Sequence, residues 1–176
     1  MDNWWQRSNP DEIKVAPWIS PEATEFLESI LKPDFEVLEH GSGGSTLWMA
    51  ERVKMVYAFE NNKGWKKKIE DYGKKNIVIG ESFDFVPTGK LLGGKADLLF
   101  IDGEPVEDRQ RWIMSSLSLV KPGGWIVLDN ANRPEYAIER DWLVIHAEET
   151  VTINGNTAGT RYLVTEFFRV GHESRE

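Results

Sequence analysis

An α/β fold built on a doubly wound, mostly parallel sheet is what this sequence predicts, and three observations carry the prediction. Short runs rich in β-branched and aromatic residues alternate with helical patterns of about ten residues, the rhythm of strands joined by crossover helices. One of those runs, residues 96–102, is almost wholly apolar, as expected of a strand covered on both faces. The last two runs, residues 142–153 and 160–170, are separated by no helical pattern and predict an antiparallel hairpin at one sheet edge. Five earlier runs and this hairpin make a seven-stranded sheet.

Residues 1–20 are irregular, interrupted by Pro10 and Pro17, and read as an arm lying across the domain or as a lid over a partner or substrate. Ser20 and Pro21 then open a helix as N-cap and first helical residue. Ala23, Phe26, Leu27, Ile30 and Leu31 give it an apolar face, and Lys32-Pro33 closes it. Val37-Leu38 lies in a strand ending at Glu39; a glycine-rich turn follows, and residues 45–53 are helical. Residues 55–60 form the second strand, 64–72 the second crossover helix and 76–80 the third strand. Residues 107–119 are helical, Lys121-Pro122-Gly123-Gly124 is a tight turn, and residues 125–129 form the fifth strand. The whole reads as one domain over residues 21–176, with no internal repeat or low-complexity linker.

Composition narrows the function. Of 176 residues, 40% are hydrophobic and 28% charged, which places the chain among soluble globular proteins and predicts a cytoplasmic location. No apolar run approaches the roughly 18 residues of a membrane span, and the N-terminus has no signal-peptide pattern. The absence of cysteine excludes a disulfide scaffold, a thiolate metal site and a cysteine nucleophile. A net charge of −8 repels a phosphate backbone on average. The basic run Lys66-Lys67-Lys68 soon meets Glu70 and Asp71 and reads as a solvated helix face. His40, His146 and His172 have no zinc-site spacing.

The chemistry concentrates in Glu39-His40-Gly41-Ser42-Gly43-Gly44-Ser45-Thr46, which follows the first strand and opens a helix. Glycine is needed where the chain turns sharply and where backbone approaches a ligand closely. Glu60 ends the next strand, 21 positions after Glu39, where a carboxylate reaches the two hydroxyls of a ribose. Loop, helix and acid together predict a nucleoside-binding half-site.

With Phe100-Ile101-Asp102-Gly103 and Lys121-Pro122-Gly123-Gly124, this set resembles the class I S-adenosylmethionine-dependent methyltransferases from about residue 20 to residue 131. The family's usual third glycine falls on Ser45, preceded by Gly44, so the loop is a variant. The resemblance implies a Rossmann-like methyltransferase fold with S-adenosylmethionine as cofactor. It places Glu39, Gly41, Ser42 and Gly43 near the methionine part, Glu60 on the ribose, Glu81 or Ser82 at the adenine edge, and Asp102 beside the transferred methyl. Phe83 is a candidate stacking surface.

Asp102 and Asp129 end the fourth and fifth strands, which lie about 4.8 Å apart when paired, so both carboxylates converge at the sheet's carboxyl edge. With the amide oxygen of Asn130 they make a hard oxygen site suited to Mg²⁺ or Ca²⁺. The set resembles that of cation-dependent O-methyltransferases, although the position where those enzymes carry a lysine base is Pro105 here. Asp102 or Glu104 is then the candidate catalytic base. Arg133 and Tyr136 either line the acceptor pocket or shape the loop. An Asn-Pro-Pro-Tyr-like motif after the fourth strand is absent, which together with the charge argues against a DNA base as acceptor.

The expected activity is methyl transfer to a small-molecule or sugar acceptor, at oxygen. The acceptor pocket comes from residues 1–20, 103–107 or 130–140, or from a second subunit of a homo-oligomer. The rivals are an enzyme that cleaves S-adenosylmethionine or transfers its aminopropyl group, and a non-catalytic nucleoside-binding module.

Overall fold

Ser20 and Pro21 start the first helix as their chemistry requires. The Ser20 hydroxyl oxygen accepts a hydrogen bond from the Ala23 N–H at 3.2 Å, and Pro21 sits where its missing donor costs nothing. The helix, α1 (Pro21–Ile30), buries Ala23 and Leu27. In this computed structural model, which describes residues 13–81, 95–156 and 162–171, the chain continues as β1 (Glu36–His40), α2 (Gly44–Ala50), β2 (Met55–Phe59), α3 (Lys63–Asp71) and β3 (Ile77–Gly80). Then follow β4 (Ala96–Ile101), α4 (Val106–Leu119), β5 (Val120–Leu128), a 3-10 turn (Pro134–Tyr136), α5 (Ala137–His146), β6 (Ala147–Asn156) and β7 (Tyr162–Val170). Ser82, Phe83 and residues 157–159 of the segment linking the predicted hairpin strands lie outside the described residues.

Among the described residues seven strands form one sheet in the order β3-β2-β1-β4-β5-β7-β6. The first five strands run parallel, and β7 is antiparallel to both β5 and β6. The strand order reverses between β1 and β4, and a crevice opens at the carboxyl ends of strands at such a switch point. Pairing of His40 with Ile101, and of Ile101 with Leu128, sets the ends of β1, β4 and β5 level. Residues 41, 102 and 129 therefore emerge side by side.

Period-two alternation along the central strands explains why they read as continuously apolar. Leu98 and Phe100 of β4 face a core shared with Ala23, Leu27, Met49 and Val53, whereas Leu99 and Ile101 face one shared with Trp112, Ile113 and Leu143. Val127 and Phe167 join the first layer; Ile126, Leu128 and Phe168 join the second. Both faces of the sheet are thus covered.

Two expectations are corrected. Residues 142–146 are not strand but the second half of α5; β6 begins at Ala147. Trp142, Val144 and Ile145 suit a strand intrinsically, yet Leu143 reaches the core and α5 packs on α4 and on the hairpin, so packing overrides propensity. Lys121 to Gly124 do not turn the chain out of the sheet. They lie within β5 as an irregularity where pairing slips from Ala96–Val120 to Leu98–Trp125, with the Lys121 ammonium 2.7 Å from Asp97.

Residues 13–20, the described part of the arm, run from α3 past the glycine loop to the hairpin. Ile13 packs on Leu47 and Ile69 and its carbonyl accepts from the Tyr72 hydroxyl at 3.3 Å. The carbonyls of Lys14 and Ala16 lie so close to Gly44 that a Cβ there would come within 2.0 and 2.6 Å of them. Ser20 then sits against Gly155 of β6. No helix among the described residues is long and apolar enough to cross a membrane.

Candidate active site

Gly41 leaves β1 with φ +97°, in the left-handed region that favours glycine, and its N–H donates to the Phe59 carbonyl at 2.9 Å. That turn brings the loop over the end of β2. The Ser42 N–H and hydroxyl donate to one oxygen of Glu60 at 3.0 and 3.1 Å, and the Asn62 N–H donates to the other at 2.7 Å. Loop and second-strand acid, predicted as one half-site, are joined directly. Glu39 lies beneath them, 1% exposed, accepting from the hydroxyls of Ser45 at 2.5 Å and Thr46 at 2.6 Å. Burial pushes its pKa up to about 8, against the pull of the two hydroxyls. Ser45, standing where a third glycine was expected, is thus a ligand of Glu39.

Asp102 and Asp129 flank the next part of the edge. Asp129 is buried and accepts from the Thr165 hydroxyl at 3.1 Å and from the side-chain amide of Asn130. Burial, then the nearby Asp102 charge, raises Asp129 to about 8; burial also raises Asp102, opposed by the Arg109 guanidinium. Arg109 of α4 is buried under both strand ends. Its Nε donates to the Gly103 carbonyl (3.0 Å), Nη1 to the Asp129 carbonyl (2.9 Å) and Nη2 to the Asp102 carbonyl (2.6 Å). Sequence reading missed Arg109 and Thr165. The signal for Arg109 was its position on the α4 face that carries Trp112, Ile113 and Ser116, a charged residue in register with an apolar stripe.

A glycine loop joined to a second-strand acid at a switch point, with two carboxylates alongside, is the geometry to set against known proteins. The family described as Methyltransferase domain matches residues 38–131, more than half of the chain and the whole of this edge except the hairpin. The chain belongs to that family. It is an S-adenosylmethionine-dependent methyltransferase. No curated protein matches it by sequence. Solved structures of similar fold include an rRNA methylase from Streptococcus thermophilus (15% identity, TM-score 0.63, covering 88% of this chain and 99% of that one). SMU.1697c from Streptococcus mutans, solved in complex with S-adenosylhomocysteine, shares 13% identity at TM-score 0.61, covering 88% of this chain and 100% of that one. A precorrin-6y C5,15-methyltransferase from Geobacter metallireducens GS-15 shares 18% at TM-score 0.61, covering 92% and 95%.

The glycine loop leaves room for a ligand. A Cβ built on Gly43 meets no atom within 4 Å, so there is open space beside that glycine. Glu60 stands beside the loop as a carboxylate, the acceptor that a ribose diol needs. Glu81 follows β3 and pairs with Lys66 at 2.7 Å, which holds its carboxyl below the ordinary range. For a cation, Asn130 turns its amide nitrogen toward Asp129, and Thr165 takes the other Asp129 oxygen; Mg²⁺ or Ca²⁺ would have to open both contacts. Glu104 is exposed and pairs with Arg133 at 2.8 Å, which ties the two loops together. Tyr136 is fully buried and donates to the Asn130 carbonyl at 2.6 Å, so of the two readings it shapes the loop. His40 ends β1 buried, stacked on Trp112 at 5.2 Å, and burial followed by the Arg109 charge pushes its pKa down to about 3.

Proposed function

We propose that this methyltransferase carries the methyl of S-adenosylmethionine to an oxygen of a small-molecule or sugar acceptor held between Asp102, Asp129 and the loop at residues 103–107. The observation that carries the reading is the pair of carboxylates at neighbouring strand ends, next to the glycine loop and on an acidic chain.

When bound, the cofactor supplies a methyl group activated on a sulfonium. The chain's own residues do the rest. Glu60 accepts hydrogen bonds from the ribose hydroxyls, and its contacts with Ser42 and Asn62 keep it in place beforehand. Gly41, Ser42 and Gly43 line the methionine end with Glu39 beneath them, and Glu81 or Ser82 meets the adenine edge. Asp102, whose carboxylate is made more basic by burial, takes the acceptor's proton, with Glu104 the second candidate. Alignment of acceptor, methyl and sulfur is the main catalytic contribution. Asn130 and Thr165 occupy both Asp129 oxygens, so the proton transfer is assigned to Asp102 without Mg²⁺ or Ca²⁺.

Proteins of similar fold include an rRNA methylase as well as a precorrin-6y C5,15-methyltransferase. The charge of −8 favours a small acceptor over RNA. Incubation with methyl-labelled cofactor, a panel of phenols, catechols and sugars, and total RNA separates them. Label on a small hydroxyl compound with S-adenosylhomocysteine as co-product is expected. Label on RNA would overturn the acceptor class, and methylthioadenosine as product would overturn methyl transfer.

A further inference from the structure

We propose that Arg109 is a positioning residue for the cofactor loop, acting through Gly103 on Gly41. The proposal rests on the reading that the glycine loop holds S-adenosylmethionine. Its starting point is where the guanidinium spends its donors. Arg109 is 1% exposed, yet among the described residues its contact with a carboxylate is only the long one to Asp102 Oδ1, at 3.4 Å. The shorter bonds go to main-chain carbonyls, those of Asp102, Gly103 and Asp129, and Nη1 also donates to the Tyr136 hydroxyl at 3.2 Å. A buried cation is costly unless every donor is answered, and here one planar fork fixes the ends of two strands.

Gly103 passes that constraint on. A Cβ on Gly103 would come within 2.8 Å of the Gly41 nitrogen and 2.9 Å of the His40 ring, and a Cβ on Gly41 within 2.9 Å of the Gly103 Cα. The two backbones are therefore in contact, with nothing between the carbonyl Arg109 holds and the positive-φ turn of the cofactor loop. Loosening Gly103 frees Gly41 to relax, and the contact of Ser42 with Glu60 lies one residue further on. Lysine cannot replace this link, because a single ammonium does not span three carbonyls in a plane.

Calorimetric titration with S-adenosylhomocysteine tests it on the full chain. Arg109→Lys is expected to weaken binding by about tenfold or more. Ile113→Ala, in the same helix and equally buried, controls for lost stability: it is expected to lower Tm while keeping affinity within about twofold. Gly103→Ala pushes the same contact apart from the loop side and is expected to weaken binding as Arg109→Lys does, and it decides the matter if Arg109→Lys does not fold. The Gly41 amide resonance should move in both of those variants and stay in Ile113→Ala. Affinity in Arg109→Lys no lower than in Ile113→Ala, or a Gly103→Ala variant binding like wild type, overturns the proposal while leaving the cofactor reading intact. A wild-type protein that does not bind the ligand at millimolar concentration brings down the cofactor reading itself, and this proposal with it.

Discussion

Glu39 and His40 are neighbours at the end of β1, and burial moves them in opposite directions. The folded chain keeps the Glu39 proton up to about pH 8, whereas an unfolded glutamate releases it near 4.5. The stability this group contributes is complete below the unfolded value and is lost as pH rises through the folded one. His40, lowered from 6.5 to about 3, contributes stability that is present above 6.5 and lost as pH falls toward 3. Between about pH 6.5 and 8, where His40 no longer offsets Glu39, melting temperatures of the wild type should decline with rising pH, and Glu39→Gln should make that decline shallower. Asp129, also raised to about 8, keeps its share, so the slope shrinks without vanishing. Equal slopes in the two proteins would show that Glu39 is already ionised. At this scale the meeting of glycine loop and Glu60 was legible in the sequence, because glycines before a helix and an acid at the next strand end come together at the sheet's carboxyl edge. The partners of Glu39 were not: Ser45 and Thr46 become its donors only once α2 folds back over β1.

Among the elements, α5 and the hairpin were the hardest to read and carry their own ion pair. Arg140 of α5 makes a bidentate pair with Glu166 of β7, through Nε at 2.7 Å and through Nη2, and Thr152 of β6 donates to the same carboxylate at 3.1 Å. Glu166 is fully buried, so removing its cation leaves an uncompensated charge. Arg140→Ala should lower stability by about 3 kcal/mol in denaturant titration, the low end for breaking a buried pair because the arginine is partly exposed. A loss under about 1 kcal/mol would mean that water reaches Glu166. The same tertiary link explains the misread boundary. Nothing local to residues 142–146 distinguishes a helix from a strand, and the deciding contacts come from α4 and from β7, both distant in the chain. Lys121 to Gly124 were misread for the converse reason: Pro122 and two glycines signal a turn, and only pairing with β4 keeps them inside β5.

For the whole molecule, the order β3-β2-β1-β4-β5-β7-β6 converts a linear string of motifs into one edge. Glu39, Gly41, Glu60, Asp102 and Asp129 are spread over 91 positions of chain, and each lies at or just beyond the end of a parallel strand. That convergence was legible because a parallel sheet has a single carboxyl edge. What holds the edge rigid was not legible, since Arg109 and Thr165 act through strand ends that only the fold brings near them. The net charge of −8 belongs to this scale too and bears on which acceptors approach the edge. On the proposed function, this edge binds S-adenosylmethionine through Glu60 and the glycine loop. That binding is tested most directly by calorimetric titration with S-adenosylhomocysteine, in the wild type and in Glu60→Ala. Micromolar binding that the substitution weakens by about tenfold or more is the result predicted. Binding that Glu60→Ala leaves unchanged, or no binding at millimolar ligand, would contradict it.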